Sequence, residues 1–232
     1  MNENEKQLIE DFLNKANPKT AKSNKRFFKQ GEGSYCKDDI LLGIPMPEIK
    51  EYVKSIPVFS LNAIYELLSS EYNEARVLGW SLLIRDYNES DILTSSTIKY
   101  AGHCGNWNVV DFAALLLSKT LLKKEGHLAV QNLGYEILFS EGNLWTQRFA
   151  LVLAINLVKA NKLNYALDVT ERCLDSKEDL IRKPCGWILR EISKQSPSLF
   201  IQFMQINKHK ISSITRSYAL EQIPENEKDN YR

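Results

Sequence analysis

Trp107-Asn108-Val109-Val110-Asp111-Phe112-Ala113-Ala114-Leu115-Leu116-Leu117 and, further on, Leu144-Trp145-Thr146-Gln147-Arg148-Phe149-Ala150-Leu151-Val152-Leu153-Ala154-Ile155 decide how this chain folds. Each stretch is apolar nearly all round and carries one charged side chain in its opening turns. Extended to 107–123 and 144–159, they read as helices buried on most sides. Setting Arg76, Asp111, Arg148 and Lys183 in register gives separations of 35, 37 and 35 residues. The segments between carry second helices, at 128–140 and 164–175. Helix pairs recurring at roughly 35 to 45 residues are the mark of HEAT-like solenoids, in which each pair buries its apolar face against the next. Apolar residues recur at three- and four-residue spacing from Leu8 to Leu220, without period-two stretches. The reading is therefore an all-α, HEAT-like repeat domain spanning residues 1–232, without strands. Equivalent helices should line one concave face that carries Trp107, Asp111, Arg148 and Trp187.

The most irregular part is the loop 30–44, with Gly31, Gly33 and Gly43, after which Pro45 and Pro47 start a short helix running through Lys54. Its Gly-Glu-Gly-Ser lacks the strand, the spacing and the lysine of a phosphate-binding loop, which sets a nucleotide-binding fold aside.

Composition narrows the class further. The chain has 232 residues, 44% hydrophobic and 25% charged, enough to bury a full core without staples. Its longest apolar runs fall short of a membrane span, and Met1-Asn2-Glu3-Asn4-Glu5-Lys6 does not resemble a signal peptide. A cytoplasmic monomer away from membranes is expected. Cys36, Cys104, Cys173 and Cys185 form no CxxC pair, so free thiols are expected. Three histidines supply no recognisable metal set, and neither metal nor cofactor is expected.

A net charge of +1 makes no large global field, so affinity for nucleic acid would have to come from local clusters. Two exist. Residues 14–30 hold Lys15, Lys19, Lys22, Lys25, Arg26 and Lys29 with no acid; residues 182–216 hold Arg182, Lys183, Arg190, Lys194, Lys208, Lys210 and Arg216 against Glu191 alone. Either cluster is a solvated helix face or a phosphate-binding surface.

Lone polar residues sharpen the choice. Asp111 is the only acid of its apolar helix, and Trp107, four residues earlier, shares its face one turn away. A carboxylate there is a satisfied structural group or a site acid awaiting a cationic ligand. Arg148 holds the matching position one repeat on. Spacing allows an ion pair with Asp111 or another acid, or a phosphate contact, for which the planar guanidinium fork is suited. Around Trp187, the residues Ile181, Cys185, Ile188 and Ile192 make an apolar stripe, while Lys183, Trp187, Arg190 and Lys194 make a basic one. A tryptophan among bases suits nucleic acid better than core.

Together these segments resemble the AlkD-like DNA alkylation-repair glycosylases. The resemblance lies in Leu42-Gly43-Ile44 followed by Pro47, in Trp107 to Asp111, in Asn143-Leu144-Trp145-Thr146-Gln147-Arg148, in Gly186-Trp187-Ile188-Leu189-Arg190-Glu191 and in Arg216-Ser217-Tyr218-Ala219-Leu220. It implies that Asp111 is the catalytic carboxylate, that Trp107 and Trp187 pack beside the damaged nucleotide's sugar, and that Arg148 contacts the DNA backbone. It further implies excision of positively charged N3- and N7-alkylated purines from double-stranded DNA in base excision repair, without flipping the base into a pocket. Lys183, Arg190, Lys194, Lys25 and Arg26 join Arg148 as expected DNA-binding residues. Two departures stand out. Pro45 replaces a polar residue that some members carry near the lesion. Pro184 lies three residues before Trp187, where its missing N–H should force a late helix start or a kink. The rival reading is a HEAT-like scaffold that binds nucleic acid or protein without chemistry. Release of a base from methylated DNA separates the two.

Overall fold

The structure is a computed structural model that describes residues 1–28, 34–87, 89–140 and 142–228. Lys29 of the first basic cluster and Gly31 and Gly33 of the glycine-bearing loop lie outside the described residues. The regular elements among the described residues are helical: α1 (Glu3–Leu13), α2 (Pro18–Asn24), α3 (Met46–Ser55), α4 (Leu61–Leu68), α5 (Asn73–Asp86), α6 (Ser90–Tyr100), α7 (Trp107–Lys124), α8 (His127–Phe139), α9 (Leu144–Lys159), α10 (Leu163–Cys173), α11 (Asp179–Gln195), α12 (Pro197–Ile206), α13 (Ser213–Ala219) and α14 (Glu225–Lys228). A 3-10 turn, Ala101–His103, joins α6 to the segment before α7. Extended pairing among the described residues is limited to one isolated parallel bridge, Ile40 with Tyr72.

The repeat read in the sequence is the repeat of the fold. Helices α5, α7, α9 and α11 open at Asn73, Trp107, Leu144 and Asp179, so Arg76, Asp111, Arg148 and Lys183 each fall on the fourth or fifth residue of a long helix. Between the last three of these lie the second helices α8 and α10, and helix pairs such as α4 with α5, α8 with α9 and α10 with α11 pack as neighbours. The fold is all-α and HEAT-like. The chain divides into two compact units, Met1–Ala113 and Ala114–Arg232.

In the first unit the non-helical segment before α3 is held by charges that α5 contributes from inside the protein. The Asp39 carboxylate is 2% exposed and pairs with Arg76, itself 6% exposed. Asn73 and Asn106 each donate an amide N–H to it at 2.7 Å. Arg76 also donates from Nε to the Cys104 carbonyl, at 3.0 Å, and from Nη1 to that of Ser70, at 2.7 Å. Gly105 turns the chain here at φ +67, and a Cβ would stand 3.1 Å from the Arg76 guanidinium. Two residues back along α5, the Glu74 carboxylate accepts the backbone N–H of Leu42 and of Gly43, each at 2.8 Å. Burial dominates its titration and pushes its pKa up against those bonds. At Gly43, with φ +78, a Cβ would lie 2.4 Å from the Asn17 carbonyl, so only glycine permits the loop to reach α2. There the Asn17 N–H donates to Leu42 at 2.8 Å and the Asn17 side chain caps α2.

In the second unit, α9 is buried on nearly every side, from Phe149 through Ile155, as its composition requires. Gly134 of α8 makes room for the Tyr165 phenol, which donates to the Ala150 carbonyl at 2.8 Å. Helix α11 corrects the expectation of a late start. It begins at Asp179 and runs through Pro184. Proline lacks the N–H that would bond the carbonyl four residues earlier, that of Leu180, and that carbonyl instead accepts Arg148 Nη1 at 2.8 Å.

The four cysteines are free and buried. Burial pushes the Cys104 thiol up to about 12, Cys173 to about 11 and Cys185 well above its ordinary value. Because the thiolate is the reactive form, a disulfide-exchange reagent at pH 8 should label the native protein far more slowly than free cysteine and should count four thiols only in denaturant. A rapidly labelled thiol in the native protein would show that one of these pockets is open. Replacing Arg76 by Met strands the buried Asp39 carboxylate, so the expected loss of stability is about 3–5 kcal/mol, largely recovered when Asp39→Leu is added. Urea unfolding of the single and double variants makes the comparison. Equal losses in both would mean that the pair is not the clamp described here.

Candidate nucleic-acid interface

Trp107 opens α7 and is fixed from behind by the buried polar group of the first unit. Asn106 is bound to Asp39, its carbonyl accepts the Val110 N–H at 3.2 Å, and Asn108 exchanges two amide hydrogen bonds with Asn73, at 2.8 and 3.0 Å. From the front, Phe27 meets the Trp107 ring edge-on with centroids 5.4 Å apart, and Phe28 lies 5.9 Å away. Phe27 is 66% exposed. These two phenylalanines directly follow Lys25 and Arg26, which are exposed at the end of α2. The loop thus delivers the first basic cluster to the side of Trp107. Asp111 is half-buried one turn further along α7, and its charge reaches back to the Cys104 thiol. Beside α2 an open groove of about 890 Å³ is lined by Lys22, Lys25 and Lys37 together with residues 38–42.

In the second unit, Lys183 and Trp187 are half-buried on α11, as the basic stripe requires. The rest of the stripe is more heavily engaged than its local sequence indicated. Arg190 pairs with Glu221, beyond α13, and its Nε lies 3.7 Å from Glu191. Lys194 also binds Glu191, at 2.9 Å. Glu191 was visible in the sequence beside its partners. Glu221 was not, because α13 brings it across thirty-one residues. Arg148 is 6% exposed, with one guanidinium nitrogen on the Leu180 carbonyl. Trp187 itself is framed by close packing, since a Cβ at Gly186 would lie 2.5 Å from the Thr215 carbonyl and 2.4 Å from Tyr218 Cβ.

Sequence reasoning did not single out Phe27, Phe28 or Lys37. The first two carry a signal in hindsight, an aromatic pair closing a run of bases, but nothing periodic marked them. Among the described residues no group of three His, Cys, Asp or Glu side chains is placed to hold a metal ion, and no helix is long and apolar enough to cross a membrane. In chemical terms each unit offers cations beside a half-buried indole. Cations suit phosphate, an indole face suits a sugar or base, and the Asp111 carboxylate suits a positive charge.

A protein from Enterococcus faecalis described as a predicted DNA alkylation repair enzyme has the same fold, with a TM-score of 0.72 at 18% identity over 90% of this chain and 97% of that one. No curated protein matches the chain. The sequence profile of the DNA alkylation repair enzymes matches residues 8–223, nearly the whole length. On that match the chain belongs to the DNA alkylation repair enzyme family.

Proposed function

We propose that the chain is a DNA glycosylase that hydrolyses the N-glycosidic bond of positively charged N3- and N7-alkylated purines in duplex DNA, the opening step of base excision repair, acting as a cytoplasmic monomer. The observation that carries this reading is the half-buried carboxylate of Asp111 one helical turn from Trp107, whose ring is faced by the exposed Phe27 and its basic neighbours. A nucleic-acid surface built for binding alone gains nothing from an acid, because an acid repels phosphate. A carboxylate gains its use when the substrate carries or develops positive charge.

Alkylation at N3 or N7 makes the purine cationic and weakens its bond to C1′. As that bond breaks, its electron pair goes to the base, which leaves neutral, and the sugar takes on oxocarbenium character. Asp111 stabilises the sugar cation and orients a water, whose oxygen bonds to C1′ as its proton passes by way of the Asp111 carboxylate to solvent. Trp107 supplies an electron-rich face beside that sugar, the role that the resemblance also implies for Trp187. Lys25, Arg26 and Lys183 hold phosphates, and Lys194 and Arg190 do so less effectively because Glu191 and Glu221 already occupy them. Neutral lesions should be poor substrates, since the base's charge supplies much of the driving force.

Asp111→Asn removes the charge at nearly constant volume. It should leave duplex binding intact and slow excision roughly a hundred- to a thousandfold, corresponding to about 3–4 kcal/mol at the transition state. Single-turnover release of N7-methylguanine and N3-methyladenine, with enzyme in excess, measures it. Parental rates in the variant would make Asp111 a structural acid and remove the mechanism, while the absence of release from the parental protein would leave a binding scaffold. Phosphate contact is tested separately. Lys25→Ala or Lys183→Ala should weaken binding to all duplexes alike and lower the slope of log K against log salt by about 0.9 per lost contact. Arg190→Ala should change that slope less. A change in sequence preference instead would count against backbone recognition.

A further inference from the structure

In an α-helix the N–H of residue 184 bonds the carbonyl of residue 180. Pro184 has no N–H, and its ring crowds that same carbonyl, a combination that ordinarily breaks or bends a helix. Helix α11 nevertheless runs through it. Leu180 is 3% exposed, so water does not replace the lost donor readily, and a buried carbonyl left without one is costly. The donor present is Arg148, from α9, at 2.8 Å. On the other side of α11 the Thr215 hydroxyl donates to the Arg182 carbonyl at 3.1 Å, and α13 closes on Gly186. The turn that leads into Trp187 is therefore gripped from two helices. Of the two grips, the one at Leu180 answers the defect that proline creates.

We propose that Arg148 is a positioning residue: its guanidinium caps the carbonyl that Pro184 orphans and thereby sets the direction in which α11 presents Trp187. A residue so engaged acts on the site through the helix, whatever its further contacts, and its charge makes the bond stronger than a neutral donor's. The catalytic consequence rests on the glycosylase reading above, whereas the bond and its effect on the Trp187 ring do not.

A double-mutant cycle in the full chain tests this, using Arg148→Met, Pro184→Ala and the pair. The Pro184→Ala substitution restores a backbone N–H for the Leu180 carbonyl, so the need for Arg148 falls. Other contacts of Arg148 are common to both backgrounds and cancel. Four quantities are read: the melting temperature, the 19F resonance of Trp187 in protein labelled with 5-fluorotryptophan and assigned through Trp187→Phe, the salt slope of duplex binding, and single-turnover excision at saturating enzyme. Arg148→Met should lower the melting temperature by about 4–8 °C and move the Trp187 resonance. In the Pro184→Ala background the same substitution should lose less than half as much and leave that resonance in place. Excision should fall at least tenfold in the single variant and recover severalfold in the double. If Arg148→Met does not fold, Arg148→Lys in the same two backgrounds gives the comparison. Additive losses with an unmoved resonance overturn the proposal. So does an equal drop in salt slope and excision in both backgrounds, the signature of a phosphate contact. Coupling in temperature and resonance without any base release by the parental protein would sustain the latch and remove the glycosylase reading.

Discussion

The first unit depends on one buried ion pair. Arg76 and Asp39 are both almost fully removed from water, and a pair so placed is stable only when its remaining hydrogen-bonding capacity is met. It is met by Asn73, Asn106, and the carbonyls of Cys104 and Ser70. Each of those partners begins or precedes a helix. The pair therefore joins the non-helical segment before α3 to α5 and to the start of α7. Glu74, close to Arg76 on α5, extends the same grip to Leu42 and Gly43, and through Asn17 to α2. A change at Arg76 would reach Trp107 from behind through Asn106 and from the front through α2 and the phenylalanines.

The second unit meets a related problem with another arginine. There a helix that proline would interrupt is continued by an arginine from its neighbour. Arg76 and Arg148 occupy matching places in their repeats, and each donates to a backbone carbonyl next to or within the first turns of a later long helix, Cys104 before α7 and Leu180 in α11. An arginine at this register position thus serves to fix the start of a later helix. Its fork suits the task, because several N–H groups on one rigid plane can satisfy acceptors that belong to different elements.

The fold was legible because its signal is redundant. Four long apolar helices opening at matched positions leave little besides a stacked helical repeat, and α9 was placed to the residue. Trp107, Asp111, Lys183 and Trp187 were legible as lone polar or aromatic departures from an apolar pattern. What was not legible depends on contacts distant in sequence. Nothing in the local pattern distinguishes Arg76, which closes a buried pair with Asp39, from Lys183, which lies half-buried on a helix face at the same register position. Glu221 reaches Arg190 through a turn of chain that periodicity does not describe, and the late start expected at Pro184 left out the donor that a neighbouring helix supplies.

Charge placement also accounts for how a chain of net charge +1 can address a polyanion. Its acids are not spread evenly against its bases. Some, such as Asp39, are buried in the framework, and others, such as Glu191 and Glu221, neutralise individual bases of the α11 stripe. Among the described residues that leaves Lys25 and Arg26 at the exposed end of α2 in the first unit, and Lys183, Lys208 and Lys210 in the second. Long-range attraction is then weak and short-range contact dominates. For a protein proposed to act on rare damaged sites, weak long-range attraction to intact DNA limits the time spent on undamaged backbone, and on that reading the distinction of lesion from normal base falls to the Asp111 carboxylate, which favours a cationic base over a neutral one.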